Sequence, residues 1–151
     1  MTDGPPMIPR MIFINLPVTD LALARRFYDA LGFVNVPRFT DETAAAMRWS
    51  ETIMVMLLTH AKWASFTSRP IPGAGSSEVM LCLSCTGRDE VDRLAQAAAA
   101  HGGAADTNPP QDHGFMYGRS FTDPDGHVWE VMWMDPAVAM ADEPPAPGES
   151  L

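Results

Sequence analysis

The order strand–helix–strand–strand–strand occurs twice in this chain, over 11–59 and again over 78–134. An internal repeat of that length constrains the fold more than any single motif. Each copy opens on an apolar strand, Met11 to Val18 (MIFINLPV) in the first and Glu78 to Cys85 (EVMLCLSC) in the second. An amphipathic helix follows each. In the first copy Thr19-Asp20 reads as the N-cap, Leu21, Ala24, Phe27, Tyr28 and Leu31 recur at helical spacing, and Gly32 closes the helix. In the second, Thr86 with Asp89 caps a helix over 87–101; Val91, Leu94 and Ala98 form its inner stripe, and Gly102-Gly103 ends it. Three shorter strands complete each copy, over 33–38, 44–50 and 52–59, then over 104–107, 115–122 and 127–134.

Two such copies imply an α+β fold: two βαβββ modules, 11–59 and 78–135, packed edge to edge as a cupped mixed sheet. Helices lie on the outer faces and the inner faces enclose a shared cavity. The stretch 60–77, HAKWASFTSRPIPGAGSS, carries Pro70, Pro72, Gly73 and Gly75 and reads as a connector. Its Gly-Ala-Gly lacks the spacing and the following Lys-Ser/Thr of a phosphate loop. Residues 1–10 read as a loose N-terminus and 136–151, rich in Pro and acids, as a disordered acidic tail.

Hydrophobic residues make up 46% of 151, enough for a real core. The formal charge of −9 disfavours nucleic acid and anionic membrane as partners. No apolar run approaches the ~20 residues that span a bilayer, and the opening MTDGPPMIPR, with no basic head followed by an apolar stretch, does not read as a signal peptide. The expected location is the cytoplasm. Cys82 and Cys85, three apart on a strand, point to opposite faces and read as buried, reduced thiols.

The stretch 117–134, YGRSFTDPDGHVWEVMWM, reads as a hairpin turning at Asp123-Pro124-Asp125-Gly126. A turn closed by those four residues sets Thr122 opposite His127, Phe121 opposite Val128, Ser120 opposite Trp129 and Arg119 opposite Glu130. Directly opposed residues on one face lie about 5 Å apart at Cβ. Glu130 is therefore expected to pair with Arg119, whose guanidinium could also reach a substrate carboxylate or phosphate. His127, at odd parity to Glu130, reads as structural. His60 and His113 fall in loops and His101 near a helix C-terminus. No Ser-His-Asp or Cys-His arrangement is legible.

From 11 to 135 the chain resembles the vicinal oxygen chelate superfamily of glyoxalases, bleomycin-resistance proteins and extradiol dioxygenases. The resemblance rests on LPVTDLALARRFYDALGF at 16–33, on the βαβββ repeat and on FTDPDGHVWEVMW at 121–133. Metal-dependent members take up to four ligands from symmetric strand positions, which fall here on Phe13, Leu57, Met80 and Glu130. Only Glu130 matches the pattern. Phe and Leu cannot bind a metal, and a Met thioether suits soft copper. The resemblance also implies a homodimer, as in other short members.

The resulting expectation is a small-molecule binder with an apolar cavity and no catalytic metal or other cofactor. Glu130 and Arg119 are its candidate catalytic residues; Phe13, Asn15, Leu57, Met80, Cys82, Tyr117, Phe121 and Met132 line the ligand site, with Asn15 and Tyr117 orienting the ligand. The first alternative is a divalent-metal-dependent lyase or dioxygenase, in which His60 or His113 joins Glu130. The second is a structural or regulatory module with a filled core.

Overall fold

Strand β1 (Ile12–Val18) passes into helix α1 (Leu21–Leu31) at Asp20, whose carboxylate accepts the Leu23 N–H at 3.0 Å. Gly32, at φ 103°, ends the helix in the left-handed region that glycine enters freely. In this computed structural model, which describes residues 9–141, the chain divides into two compact units, Met1–Arg69 and Pro70–Leu151. The first unit continues through β2 (Val34–Asn35), a 3₁₀ turn at Pro37–Phe39, β3 (Ala44–Arg48) and β4 (Ile53–Thr59). Its sheet runs β1-β4-β3-β2, with β1 parallel to β4 and the other pairs antiparallel.

The strand expected over 33–38 is only two residues long because Pro37 removes a ladder donor and starts the 3₁₀ turn. The expected connector over 60–77 opens with helix α2 (His60–Phe66). Thr59 caps it by accepting the Lys62 N–H at 3.1 Å, and the Pro and Gly residues come only after it.

The second unit repeats the order: β5 (Leu81–Ser84), α3 (Arg88–Ala100), β6 (Ala104–Ala105), β7 (Gln111–Asp112), β8 (Met116–Thr122) and β9 (Val128–Met134). Its sheet runs β5-β9-β8-β6, again with its first and last strands parallel, and β7 pairs with β8. Gly87, not Thr86, occupies the N-cap of α3. The segment expected as an acidic tail begins with a helical turn, α4 (Pro136–Ala139), capped by Asp135. Residues 142–151 lie outside the described residues, as do 1–8 of the expected loose N-terminus. Among the described residues no helix is long and apolar enough to cross a membrane.

Each unit has a core between helix and sheet. α1 buries Ala24, Phe27, Tyr28 and Leu31. Tyr28 packs edge-on against Phe27 and Phe33, at 5.1 and 5.2 Å between ring centroids. α3 buries Val91, Leu94, Ala95 and Ala98 and packs on β8 and β9, where Phe121, Trp129 and Val131 are buried. Each fully buried side chain of this size contributes roughly 1.5–3 kcal/mol.

The β8–β9 register differs by one residue from the sequence expectation. Asp123 N–H donates to the His127 carbonyl at 3.1 Å and Gly126 N–H to the Asp123 carbonyl at 3.0 Å. The Asp123 carboxylate accepts the N–H groups of Asp125 and His127, at 3.0 and 2.9 Å. Three residues, not two, therefore separate the last opposed pair, with Gly126 at φ 86°. This is the three-residue hairpin connection with a left-handed glycine. Thr122 then faces Val128, Phe121 faces Trp129, Ser120 faces Glu130 and Arg119 faces Val131.

Gly126 is doubly constrained, because a Cβ there would also sit 2.9 Å from the Ala74 carbonyl oxygen. Gly126→Ala is expected to destabilise the protein by about 1–3 kcal/mol. Urea unfolding of the two proteins, compared by midpoint at constant slope, measures this.

Candidate functional site

Alternation along β9 sends Trp129 and Val131 to the α3 side and Glu130 and Met132 to the other. Paired neighbours share a face, so Cys82 of β5 and Ser120 of β8 flank Glu130, while Ser84 and Gly118 flank Met132. On this face lies a cavity of about 230 Å³, lined by Cys82, Pro109, Gln111, Met116, Gly118, Ser120, Glu130 and Met132. Arg119 and Val131 border it from strand positions whose side chains are on the α3 side.

The polar groups of this face differ in how far they are committed. The Ser120 hydroxyl accepts the Asn108 N–H at 2.7 Å and donates to the Asn108 carbonyl at 3.1 Å, which ties the 106–110 loop to β8. Glu130 is half-buried and, among the described residues, has no hydrogen bond or ion pair. Desolvation, and then the Glu130 carboxylate, raise the Cys82 thiol above its ordinary value. Cys85 is pushed up to about 12 by burial and by Glu90. Both cysteines are free; Cys82 is exposed, not buried as expected.

Arg119 is not the partner of Glu130. Its guanidinium chelates Asp106 with two bonds, 3.0 and 2.9 Å, and donates to Asp92 of α3 at 3.1 Å. Tyr117 donates its hydroxyl to the same Asp92 oxygen at 2.6 Å. The cause is the extra loop residue, which moves Arg119 to the helix side. The hydrogen bonds from Arg119 hold Asp106 below the usual carboxylate range, and the bond to Asp92 raises Tyr117. Nearby, Arg88 chelates Asp112 at 2.9 Å and lies over the rings of Tyr117 and Trp133, at 5.1 and 5.3 Å. Among the described residues, no cationic side-chain head enters the cavity on its Glu130 face.

Of the residues expected to line a ligand site, Cys82, Glu130 and Met132 come together. Tyr117 and Phe121 fall on the α3 side with Arg119, the register again being the cause. Met80 lies just before β5, exposed, and its sulfur accepts from the Asn108 side-chain amide at 3.3 Å. In the first unit Phe13 and Asn15 share a face with Met54 and Met56. Leu57, paired with Leu16, is fully buried on the opposite face, so Met56 stands where Leu57 was expected. The expectation missed Pro109, Gln111, Met116, Gly118 and Ser120. Gly118, a glycine inside a strand, stands directly opposite Met132, where an added Cβ would meet Met132 Cβ at 3.5 Å, an ordinary contact.

The donor set around Glu130 does not fit a hard or borderline divalent cation, which takes about three protein ligands. Its neighbours on the face are a protonated thiol, a committed hydroxyl and a thioether. His60 begins α2 of the first unit, and exposed His113 contacts Gln111 and stacks on Phe115. Among the described residues no group of three His, Cys, Asp or Glu could hold a metal ion.

A family model described as Glyoxalase/Bleomycin resistance protein/Dioxygenase superfamily matches residues 10–131. Among solved structures, the hypothetical protein SA1046 from S. aureus is 29% identical, with 85% of this chain and 95% of that one covered at a TM-score of 0.69. A glyoxalase/bleomycin resistance protein/dioxygenase family enzyme from Burkholderia phytofirmans is 17% identical, covering 81% and 96% at a TM-score of 0.66. The fosfomycin resistance protein FosX from Mesorhizobium loti is 17% identical, covering 89% and 100% at a TM-score of 0.61. These two likenesses, below 25% identity, show the fold alone. No curated protein matches the chain.

Arg119→Met removes the cation shared by Asp92 and Asp106 and is expected to cost on the order of 1–2 kcal/mol near neutral pH. Because the folded Asp106 titrates below its unfolded value, the contribution is full above about pH 4 and fades as pH falls further. Stability of the two proteins measured from pH 7 to pH 3 should therefore converge at the acid end.

Proposed function

The chain belongs to the Glyoxalase/Bleomycin resistance protein/Dioxygenase superfamily, and from that premise we propose that it binds a small molecule in the Glu130 cavity without a catalytic metal. The observation that carries this reading is the half-buried carboxylate at the centre of the face, which among the described residues has no hydrogen bond or ion pair. Beside it stand Met116, Met132 and Pro109, an apolar and adaptable wall. A ligand suited to it has an apolar body and an N–H, an O–H or a cationic nitrogen directed at Glu130. An anionic ligand is disfavoured, because Arg119 is spent on Asp92 and Asp106. If the bound molecule reacts, Glu130 is the group placed to take its proton. This replaces the Arg119–Glu130 pair as the working centre.

The same reading places the protein in the cytoplasm as a homodimer. Family members often form dimers, and among the described residues β1 pairs on one side only within its sheet, with Ile12 and Phe13 and the preceding Met11 exposed. Unpaired apolar edges of this kind are normally covered.

Two measurements test these statements. In calorimetric titrations with metal chelated, 2-phenylethylamine is expected to bind saturably and phenylacetate not. Glu130→Gln should weaken the amine by about tenfold or more, the worth of a charged hydrogen bond; equal affinity in the variant would remove Glu130 from the site. In light scattering, the protein should run as a dimer and Phe13→Asp as a monomer.

A further inference from the structure

Gly118 is a glycine that neither its own backbone nor its packing requires. It lies in the interior of β8, where glycine weakens a strand. Its φ is outside the left-handed region that favours glycine. A Cβ there would meet Met132 Cβ and the Val131 carbonyl oxygen at 3.5 Å and Met116 Cε at 3.9 Å, all ordinary contacts. What the missing side chain leaves is space, on the cavity side of the sheet. The register sets Gly118 directly between Met132 of β9 and Gln111 of β7. Those two strands stand two spacings, roughly 9.5 Å, apart. Along β8, Met116 and Ser120 share its face two residues to either side. Glu130 is its diagonal neighbour across the β8–β9 pair, about 7–8 Å away. All five line the cavity together with Gly118. Gly118 is the floor of the pocket, and the others are its walls.

We propose that Gly118 is the specificity-determining residue of this site. Its bare backbone admits an apolar body as wide as a ring, carried on a short linker from the nitrogen that Glu130 binds. The ligand class is then an amine with an aromatic or other cyclic body. A ring fills the width between the walls and buries its apolar surface against Met116 and Met132, which adapt to its outline. A slender aliphatic amine leaves that width unfilled. A methyl group at position 118 would project into the same space without disturbing the protein around it, so the site would narrow while the fold stays intact. The inference rests on the reading of Glu130 as the polar anchor, and adds to it the shape of the ligand body.

The test titrates wild type, Gly118→Ala and Gly118→Val with 2-phenylethylamine and with n-butylamine, metal chelated, and follows binding by NMR. Gly118→Ala should unfold in urea at or above the wild-type midpoint, because alanine on a compatible backbone lowers the entropy of the unfolded chain. The same substitution should weaken 2-phenylethylamine on the order of tenfold, what one methylene is worth in an apolar pocket. Gly118→Val should weaken it further, while n-butylamine binds all three proteins alike. Unchanged affinity for 2-phenylethylamine in both variants, or an equal loss of both amines, would overturn the proposal. Circular dichroism checks the fold, and Gly118→Ala carries the comparison if the valine variant does not fold. Wild type that binds 2-phenylethylamine, with both variants unaffected, removes only the role of Gly118. Wild type that binds neither amine saturably removes the Glu130 cavity reading and this inference with it.

Discussion

One carboxylate governs which face each residue of the second hairpin occupies. Asp123 is nearly fully buried and accepts two backbone N–H groups of its own turn. That holds the loop at three residues and the β8–β9 ladder in one register. With side chains alternating every residue, a loop one residue shorter would exchange the two faces of β8 relative to β9. Arg119 and Tyr117 would then lie beside Glu130, and the cavity would be a charged site. The composition of the cavity thus follows from a turn at the far end of the hairpin.

The consequence is a sheet whose two faces have different chemistry. On the α3 side, Arg88 and Arg119 gather Asp92, Asp106 and Asp112 into ion pairs that join helix, loop and strand. Asp106 adopts φ 57° there, a left-handed conformation that Asp tolerates better than most residues, and this geometry coincides with its two-pronged grip on Arg119. On the other side the side chains are mainly sulfur-bearing or small, and Glu130 carries charge there. A carboxylate in that setting has its hydrogen-bonding capacity open to an incoming partner.

Much of the fold was legible because its signals are local. Asp20 and Gly32 bracket α1, the spacing of Phe27, Tyr28 and Leu31 sets its buried stripe, and the second copy repeats the plan. The site was legible only where parity alone decided it, as for Cys82, Glu130 and Met132. It failed where register decided: Pro124 cannot take the positive φ of a two-residue I′ or II′ connection, so a type I turn closed by left-handed Gly126, the three-residue connection, is what Asp-Pro-Asp-Gly favours. Leu57 was lost to a slip of one position on β4. The true partners of Arg119 sit on α3 and in the loop that follows β6, and no hairpin argument could have supplied them.

The strand order has a further consequence for how the site comes into being. β9 is last in sequence among the strands of its sheet, yet it occupies the middle, between β5 and β8. Its antiparallel partner is the preceding strand, whereas its parallel partner is separated from it by α3, β6, β7 and β8. Closing that long loop is entropically the slow part of assembling such a sheet. Cys82 and Glu130 meet only when it closes. A chain with every local element formed but β9 not yet inserted has no cavity, so the cavity itself is a mark of completed folding.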